Sequence, residues 1–524
     1  MAPGAWLVSR ARCWRRLVAA VVLALGLGLV GGGWAAAKGP IAGATVYPKI
    51  TGPRVPPSYM GISLDYKWLP LYTGLYSGSE GGSGPNQLTA ALLRGLAPPG
   101  ERPPVVRVGS GGADNIWWNP EARPRPPGIY EELRPQVLRG LAEFQQLLGG
   151  PLMVGLNLAL NRPEEAARMA EAALQYLPRR QTLFEVGNEP DIYTERPWFP
   201  DGRPPRKKPY RFEEYLREFG RHVRRLMKLR PRPRLAGPSA GLGSGDAWLQ
   251  GMPRFMRRFG RPVRALTYHG YPLSACSPRR APDHPTIRRL LTNDIIHGYA
   301  KRFGPLARMA GVRGRPLILN ETGSAACGGK EGVSDTFAAA LWGAHWLFTM
   351  QYLRIDGVYF QAAGSYSPFN IAGGVGRPPF ARVLPLYHGM RLFAAATAGR
   401  SRVVFAPPNA RLRFRSRANV VFFAFRTAGG KIRVVVLNKD LRKGGRVKVR
   451  VKGAGRRGKL VRLTAPSVKA KTGVTFAGQG FPEYTSDAVL TGEYESRPVP
   501  RRRRGVYVFR MPKTSGALLT IPRG

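Results

Sequence analysis

Two glutamates stand in matching settings, each closing a short apolar run: Glu189 in Phe184-Glu185-Val186-Gly187-Asn188-Glu189-Pro190, and Glu321 in Leu317-Ile318-Leu319-Asn320-Glu321-Thr322-Gly323. An acid that ends a buried strand is costly unless it has a partner or a task. Two carboxyl groups facing one another across a cleft are what cleavage of a glycosidic bond requires. One protonates the leaving oxygen, and the other attacks the sugar or activates water. An ionised Glu321 would raise the pKa of its neighbour and keep Glu189 protonated until Glu321 becomes esterified. Other chemistry-bearing residues lie at or just past the ends of further apolar runs: Asp65, Asp114, Asn157, Asn188, His269, Tyr271 and Tyr366. Asp65, Asp114, Asn188, His269, Tyr271 and Tyr366 are the candidate substrate-binding set. Asp65 and Asp114 read equally well as salt-bridged loop holders, His269 as a hydrogen-bonded structural residue and Tyr366 as packing.

The elements that would position these residues repeat along the chain. Apolar runs at residues 60–65, 105–109, 152–157, 183–189, 235–239, 265–271, 317–321 and 358–362 alternate with segments of helical periodicity such as 163–176 and 212–229. Eight buried strands alternating with helices predict an α/β fold, a (β/α)₈ barrel, whose active site sits where the loops after the strands converge. Past residue 400 the pattern becomes β-rich: Val447-Lys448-Val449-Arg450-Val451-Lys452 alternates strictly, and turn residues separate the runs. This predicts a C-terminal antiparallel β-sandwich. The expected organisation is a signal peptide over 1–37, an N-terminal segment 38–57 able to add a strand to the sandwich, a catalytic barrel over 58–398 and a basic sandwich over 399–524. Gly109-Ser110-Gly111-Gly112 misses the dinucleotide fingerprint, because Asp114 stands where the last glycine is required. No cofactor is expected, and no His or Cys spacing resembles a metal site.

These motifs resemble glycoside hydrolase family 79, the β-glucuronidase and heparanase family, within the clan of retaining (β/α)₈ glycosidases. The resemblance rests on Gly61-Ile62-Ser63-Leu64-Asp65-Tyr66, Val106-Arg107-Val108-Gly109, Val186-Gly187-Asn188-Glu189-Pro190-Asp191, Tyr268-His269-Gly270-Tyr271 and Asn320-Glu321-Thr322-Gly323-Ser324, in that order. It implies Glu189 as acid/base, Glu321 as nucleophile, Asn188 on the sugar 2-hydroxyl and Tyr271 hydrogen-bonded to the nucleophile. It also implies recognition of a substrate carboxylate from the loop after strand eight, where Tyr366 stands. The expected activity is a secreted retaining β-glucuronidase acting on a uronic-acid-containing carbohydrate. The alternatives are an endo-acting, heparanase-like hydrolase of acidic polysaccharide and a non-catalytic polyanion-binding protein.

Charge and compartment complete the reading. Across 524 residues, 82 Lys and Arg stand against 31 Asp and Glu, for a formal net charge of +51. Hydrophobic residues at 43% exclude a wholly disordered chain. Residues 401–524 hold 29 basic and five acidic residues, so the β-rich part is the most basic. Such a surface would attract polyanions in a salt-dependent way, with no signature of specific nucleic-acid recognition. Arg10, Arg12, Arg15 and Arg16 precede the apolar run Leu17 to Val30, and Ala35-Ala36-Ala37 follows, the pattern of a secretory signal. An extracytoplasmic location is expected, with no membrane span after cleavage. In an oxidising compartment Cys276 and Cys327, which follow neighbouring strands six and seven, are expected to form a disulfide.

Overall fold

The computed structural model describes residues 39–524 apart from Ser79, Pro99, 242–246, 375–376, 405–412, Ala454 and Gly524. The expected signal peptide lies outside the described residues. From Ile41 to Gly524 the chain forms one compact unit.

Eight parallel strands close on themselves: Met60–Asp65, Val105–Gly109, Leu152–Leu156, Thr182–Val186, Leu235–Ala240, Val263–Gly270, Leu317–Thr322 and Gly357–Gln361, numbered here as barrel strands one to eight. Each strand pairs with the next in sequence, and strand eight pairs with strand one through Val358↔Met60 and Phe360↔Ile62. The strands are apolar on both faces because one face lines the barrel and the other lies under helices. Val105, Met153, Ala236, Ala265, Ile318 and Tyr359 pack together as a separate small cluster. The helices obey local rules. Pro163–Tyr176 opens on a proline followed by Glu164 and Glu165, which suit the positive end of its dipole. Phe212–Leu226 buries Tyr215, Leu216, Phe219, Val223 and Leu226, a three- and four-residue stripe.

Strand four ends at Val186, three residues earlier than its polar tail suggested. Gly187 at φ +83° and Glu189 at φ +50° turn the backbone out of the extended conformation. A turn of this kind re-aims the Glu189 side chain, and the Glu189 N–H is tied to the Ser239 carbonyl at 2.8 Å.

Two larger β-sheets lie outside the barrel. One orders Arg413–Ser416, Ala42–Val46, Gly445–Val451 and Val506–Met511; the other contains Thr51–Arg54, Arg402–Val404, Val420–Arg426, Ile432–Asn438, Ser515–Ile521, Arg457–Thr464 and Thr475–Phe476. Both N-terminal strands, Ala42–Val46 and Thr51–Arg54, are therefore built into these sheets. Pairing is antiparallel except that Ala42–Val46 runs parallel to Gly445–Val451. In that last strand Val447, Val449 and Val451 are buried while Arg446 and Lys448 are exposed, so the alternation places charge on the solvent face. The helix Phe337–Tyr352 is apolar all round and is buried between barrel and sheet. Its Phe348 stacks on Phe423 at 5.1 Å, and its Tyr352 hydroxyl accepts from the Ala424 N–H at 2.8 Å. Among the described residues no helix is long and apolar enough to cross a membrane.

Candidate active site

The carboxyl ends of strands two, four, five, six and seven deliver one connected set of polar side chains. Its centre is Arg107 of strand two, a fully buried guanidinium. Its Nε donates to Glu185 Oε2 at 2.8 Å, and Nη1 donates to Ser63 Oγ at 2.8 Å and to Glu321 Oε2 at 2.7 Å. Its Nη2 donates to Asn188 Oδ1 at 2.8 Å and to Ser239 Oγ at 3.3 Å. Glu185 also accepts from Asn320 Nδ2 at 2.8 Å, so the residue before Glu321 is locked from below. Burial disfavours the Arg107 cation, but the charges of Glu185 and Glu321 outweigh it and raise its pKa.

Glu321 is nearly buried, its side chain 8% exposed. Besides Arg107 it accepts from the Tyr271 hydroxyl, which reaches Oε1 at 2.9 Å. Burial pushes its pKa up, yet the charges of His269 and Arg107 and the donated hydrogen bonds prevail, and the carboxyl titrates below its ordinary value. Tyr271 is shifted the opposite way, by burial and by the Glu321 charge, so its phenol remains a donor. Glu189 is the more open acid, 23% exposed. His269 Nδ1 lies 2.9 Å from Glu189 Oε1, and His269 Nε2 lies 3.1 Å from Ser239 Oγ. Burial would lower the His269 pKa, but Glu321 and the hydrogen bond to Glu189 raise it. One oxygen each from Glu189 and Glu321 and one ring nitrogen of His269 all fall within 4.8 Å of one another. Such a trio could also hold a metal by its spacing alone. The Arg107 guanidinium on Glu321 and a His269 biased toward its charged form set two positive groups against a cation there.

Two glycines keep the site open. A Cβ on Gly241 would lie 2.8 Å from Glu189 Oε1, and one on Gly323 would meet the Tyr271 ring at 3.0 Å and the Tyr366 ring at 3.3 Å. Tyr366 thus belongs to the same wall, its ring 6.2 Å from that of Tyr271. Its loop is fastened by Ser365 Oγ donating to the Gly328 carbonyl at 3.0 Å. Gly328 follows Cys327, which is bonded to Cys276.

The structure gathers Glu189, Glu321, Asn188, His269, Tyr271 and Tyr366. Asp65 sits at the end of strand one, where it accepts from the Gly112 N–H at 2.9 Å and the Lys67 N–H at 3.2 Å. Burial raises its pKa against those two donors. Asp114 corrects the expectation of a sugar ligand. It is fully buried, and its oxygens accept from the Tyr193 hydroxyl at 2.8 Å, Arg196 Nη2 at 3.1 Å and the Leu158 and Ala159 amides. With every direction filled by protein, it clamps the loops after strands two, three and four. Asn157 is likewise spent on the Asp114 and Ile116 carbonyls.

Six members of the network were not singled out from sequence: Arg107, Glu185, Ser63, Ser239, Asn320 and Asp191. The readable sign for the first two is a lone charge inside an apolar strand, Val106-Arg107-Val108 and Phe184-Glu185-Val186, because such charges must find each other. Asp191 is buried beside Glu189, accepts from the Gly241 N–H at 2.7 Å, and is pushed up to about 6 by burial and by the Glu189 charge.

Comparison with known proteins follows this geometry. Residues 422–518 match the glycosyl hydrolase family 79 C-terminal beta domain. A β-glucuronidase of Aspergillus niger is 25% identical over 313 residues, 54% of this chain and 54% of its own length. One of Neurospora crassa is 22% identical over 321 residues, 55% and 54% of the two chains. The chain spans about half the length of the curated relatives it matches. A 4-O-alpha-L-rhamnosyl-beta-D-glucuronidase from Fusarium oxysporum superposes with TM-score 0.69 at 17% identity, over 91% of this chain and all of that one. The GH51 arabinofuranosidase from Xanthomonas axonopodis pv. citri gives 0.61 at 17% identity, over 92% of this chain and 100% of that one. These superpositions establish the shared fold, and the β domain behind the barrel is of the type found in glycoside hydrolase family 79, the family that the strand-end motifs resemble.

Proposed function

We propose that the protein is a secreted, retaining β-glycosidase that hydrolyses terminal β-glucuronic acid by double displacement. The observation that carries this reading is that one carboxyl oxygen of Glu189 and one of Glu321 come within 4.8 Å of each other. Retaining enzymes hold their carboxyls about 5–5.5 Å apart, whereas inverting enzymes leave about 6.5–9.5 Å for a water. Glu321, kept ionised by Arg107 and Tyr271, attacks the anomeric carbon. Glu189 gives its proton to the leaving oxygen as the glycosidic bond breaks and the glycosyl ester forms. Esterification removes the Glu321 charge, and Glu189, now a carboxylate, takes a proton from water as that water attacks the same carbon and releases Glu321. The Asn188 oxygen is occupied by Arg107, which leaves its amide nitrogen to donate to the sugar 2-hydroxyl. The choice of glucuronic acid rests on the relatives named β-glucuronidase and on the strand-eight loop that carries Tyr366. The basic β domain would raise the local concentration of acidic glycans.

A panel of aryl β-glycosides tests the assignment, comparing glucuronide with glucoside, xyloside and galactoside, with the anomer of the first product read by NMR. The expected result is fastest cleavage of the glucuronide with retention. Inversion, or Glu321→Ala matching the unaltered enzyme on the best substrate, would overturn the mechanism.

A further inference from the structure

At the pole of the barrel opposite the carboxylates, four arginines line one concavity of about 440 Å³: Arg179, Arg180, Arg234 and Arg264. Their placement follows from the strand starts. Arg179 and Arg180 lie in the turn before strand four, Arg234 immediately precedes strand five, and Arg264 is the second residue of strand six. Because the strands are parallel and adjacent, all four share the amino-terminal face. Strands of five to eight residues put that face on the order of 20 Å from Glu189 and Glu321.

Two of the four are held in place against the cluster's repulsion. Arg179 Nε donates to the Arg232 carbonyl at 2.6 Å, and Arg234 Nη1 donates to the Arg180 carbonyl at 2.6 Å. These two bonds cross between the turns before strands four and five and fix two guanidiniums side by side. Among the described residues no carboxylate forms a salt bridge with any of the four. Arg234, half-buried, is pushed below its ordinary pKa by burial and by the charges of Arg179 and Arg264. A like-charged, uncompensated cluster with two fixed guanidiniums suits a ligand rich in oxyanions.

We propose that this basin is a second, non-catalytic binding site for an acidic glycan, which its guanidiniums grip by sulfate or carboxylate groups. Among the described residues only arginines line it, with no aromatic face on which a base could stack, which favours an oxyanion-bearing glycan over single-stranded nucleic acid. Lying on the far pole, it holds a chain segment or a matrix without occupying the carboxylate cleft. The site therefore tethers the protein to an acidic polymer and is independent of the sugar cleaved.

The test titrates the full-length protein with fluorescently labelled dextran sulfate, using neutral dextran, inorganic sulfate and duplex DNA as competitors. Arg180→Gln with Arg264→Gln removes two side chains that no structural hydrogen bond above uses. We expect binding about tenfold weaker and less dependent on salt, in line with the loss of two cation–oxyanion contacts. The charge-matched control is Arg457→Gln with Lys459→Gln, in a separate concavity of the β domain. It should weaken binding less than about twofold, as expected for distant, screened charges. Unchanged thermal midpoints of both variants show that binding, not folding, is being read. Equal weakening by the two variants would reduce the effect to net charge and overturn the proposal. So would full competition by duplex DNA, or by inorganic sulfate at matched sulfate concentration.

Discussion

Tyr271→Phe removes one hydroxyl and keeps the ring that packs beside Tyr366. The lost interaction is the 2.9 Å hydrogen bond to Glu321 Oε1, made to a carboxylate whose side chain is only 8% exposed. A hydrogen bond to a charged group contributes about 1.5–3 kcal/mol, which at about 1.36 kcal/mol per unit converts to about 1–2 pH units. The lower end applies, because Arg107 at 2.7 Å and His269 at 3.9 Å still stabilise the anion. The bond favours the ionised form, so its loss raises the Glu321 pKa, and the acid limb of the kcat/KM profile moves up by about one unit. The basic limb stays in place. Stability changes with the same sign. Glu321 titrates low in the folded state, so its contribution is present above the unfolded value of about 4.3 and is lost as pH falls through the folded pKa. In the variant the folded pKa lies closer to the unfolded one, so this contribution is smaller and its loss is complete at a higher pH. The assay is a pH series of kcat/KM on an aryl glucuronide beside acid unfolding followed by circular dichroism. A folded variant whose acid limb is unmoved, or moves down, would refute the claim that Tyr271 holds Glu321 ionised.

Three further outcomes follow from groups elsewhere in the chain. Arg107→Met strands Glu185 and Glu321 without their shared cation, and urea unfolding should show a loss of about 3–5 kcal/mol. Cys276→Ser opens a disulfide with a sequence separation of 51, and the chain-entropy relation gives a cost of about 4 kcal/mol, readable as a lower urea midpoint. Lys439 is buried with its amine on the Leu291 carbonyl and Asn293 Oδ1, and burial lowers its pKa to about 7. The unfolded chain holds that proton up to about pH 10.4, so this group makes stability rise with pH between about 7 and 10.4. Lys439→Met should flatten that rise in urea midpoints measured at the two ends of the window; an unchanged slope would show that the amine is not the cause.

The barrel was legible because its strands are continuous apolar runs of five to eight residues spaced by amphipathic helices, a pattern that few other folds share. The end of strand four was not, since Gly187, Asn188 and Glu189 could continue an extended run. Only the positive φ at Gly187 and Glu189 reveals the turn. Asp114 is open between two readings in the sequence for a related reason: position at a strand end marks a residue for the cleft side of the barrel, but whether it meets substrate or protein depends on Tyr193 and Arg196, about eighty positions away. The same distance hid the role of Arg107, whose partners Glu185 and Glu321 lie 78 and 214 positions along the chain. Composition draws attention instead to the net charge of +51.

The site shows why that surface charge does not set the chemistry. Arg107 is balanced by Glu185 and Glu321 at contact distance, and His269 lies between Glu189, Ser239 and Glu321. Buried charges within about 4 Å interact several times more strongly than in water, whereas charges on the solvent face are screened over about 8 Å at physiological salt. The protonation of Glu321 is therefore decided by His269, Arg107 and Tyr271, and the arginines of the β domain and of the far pole are left to act on whatever the protein meets at its surface.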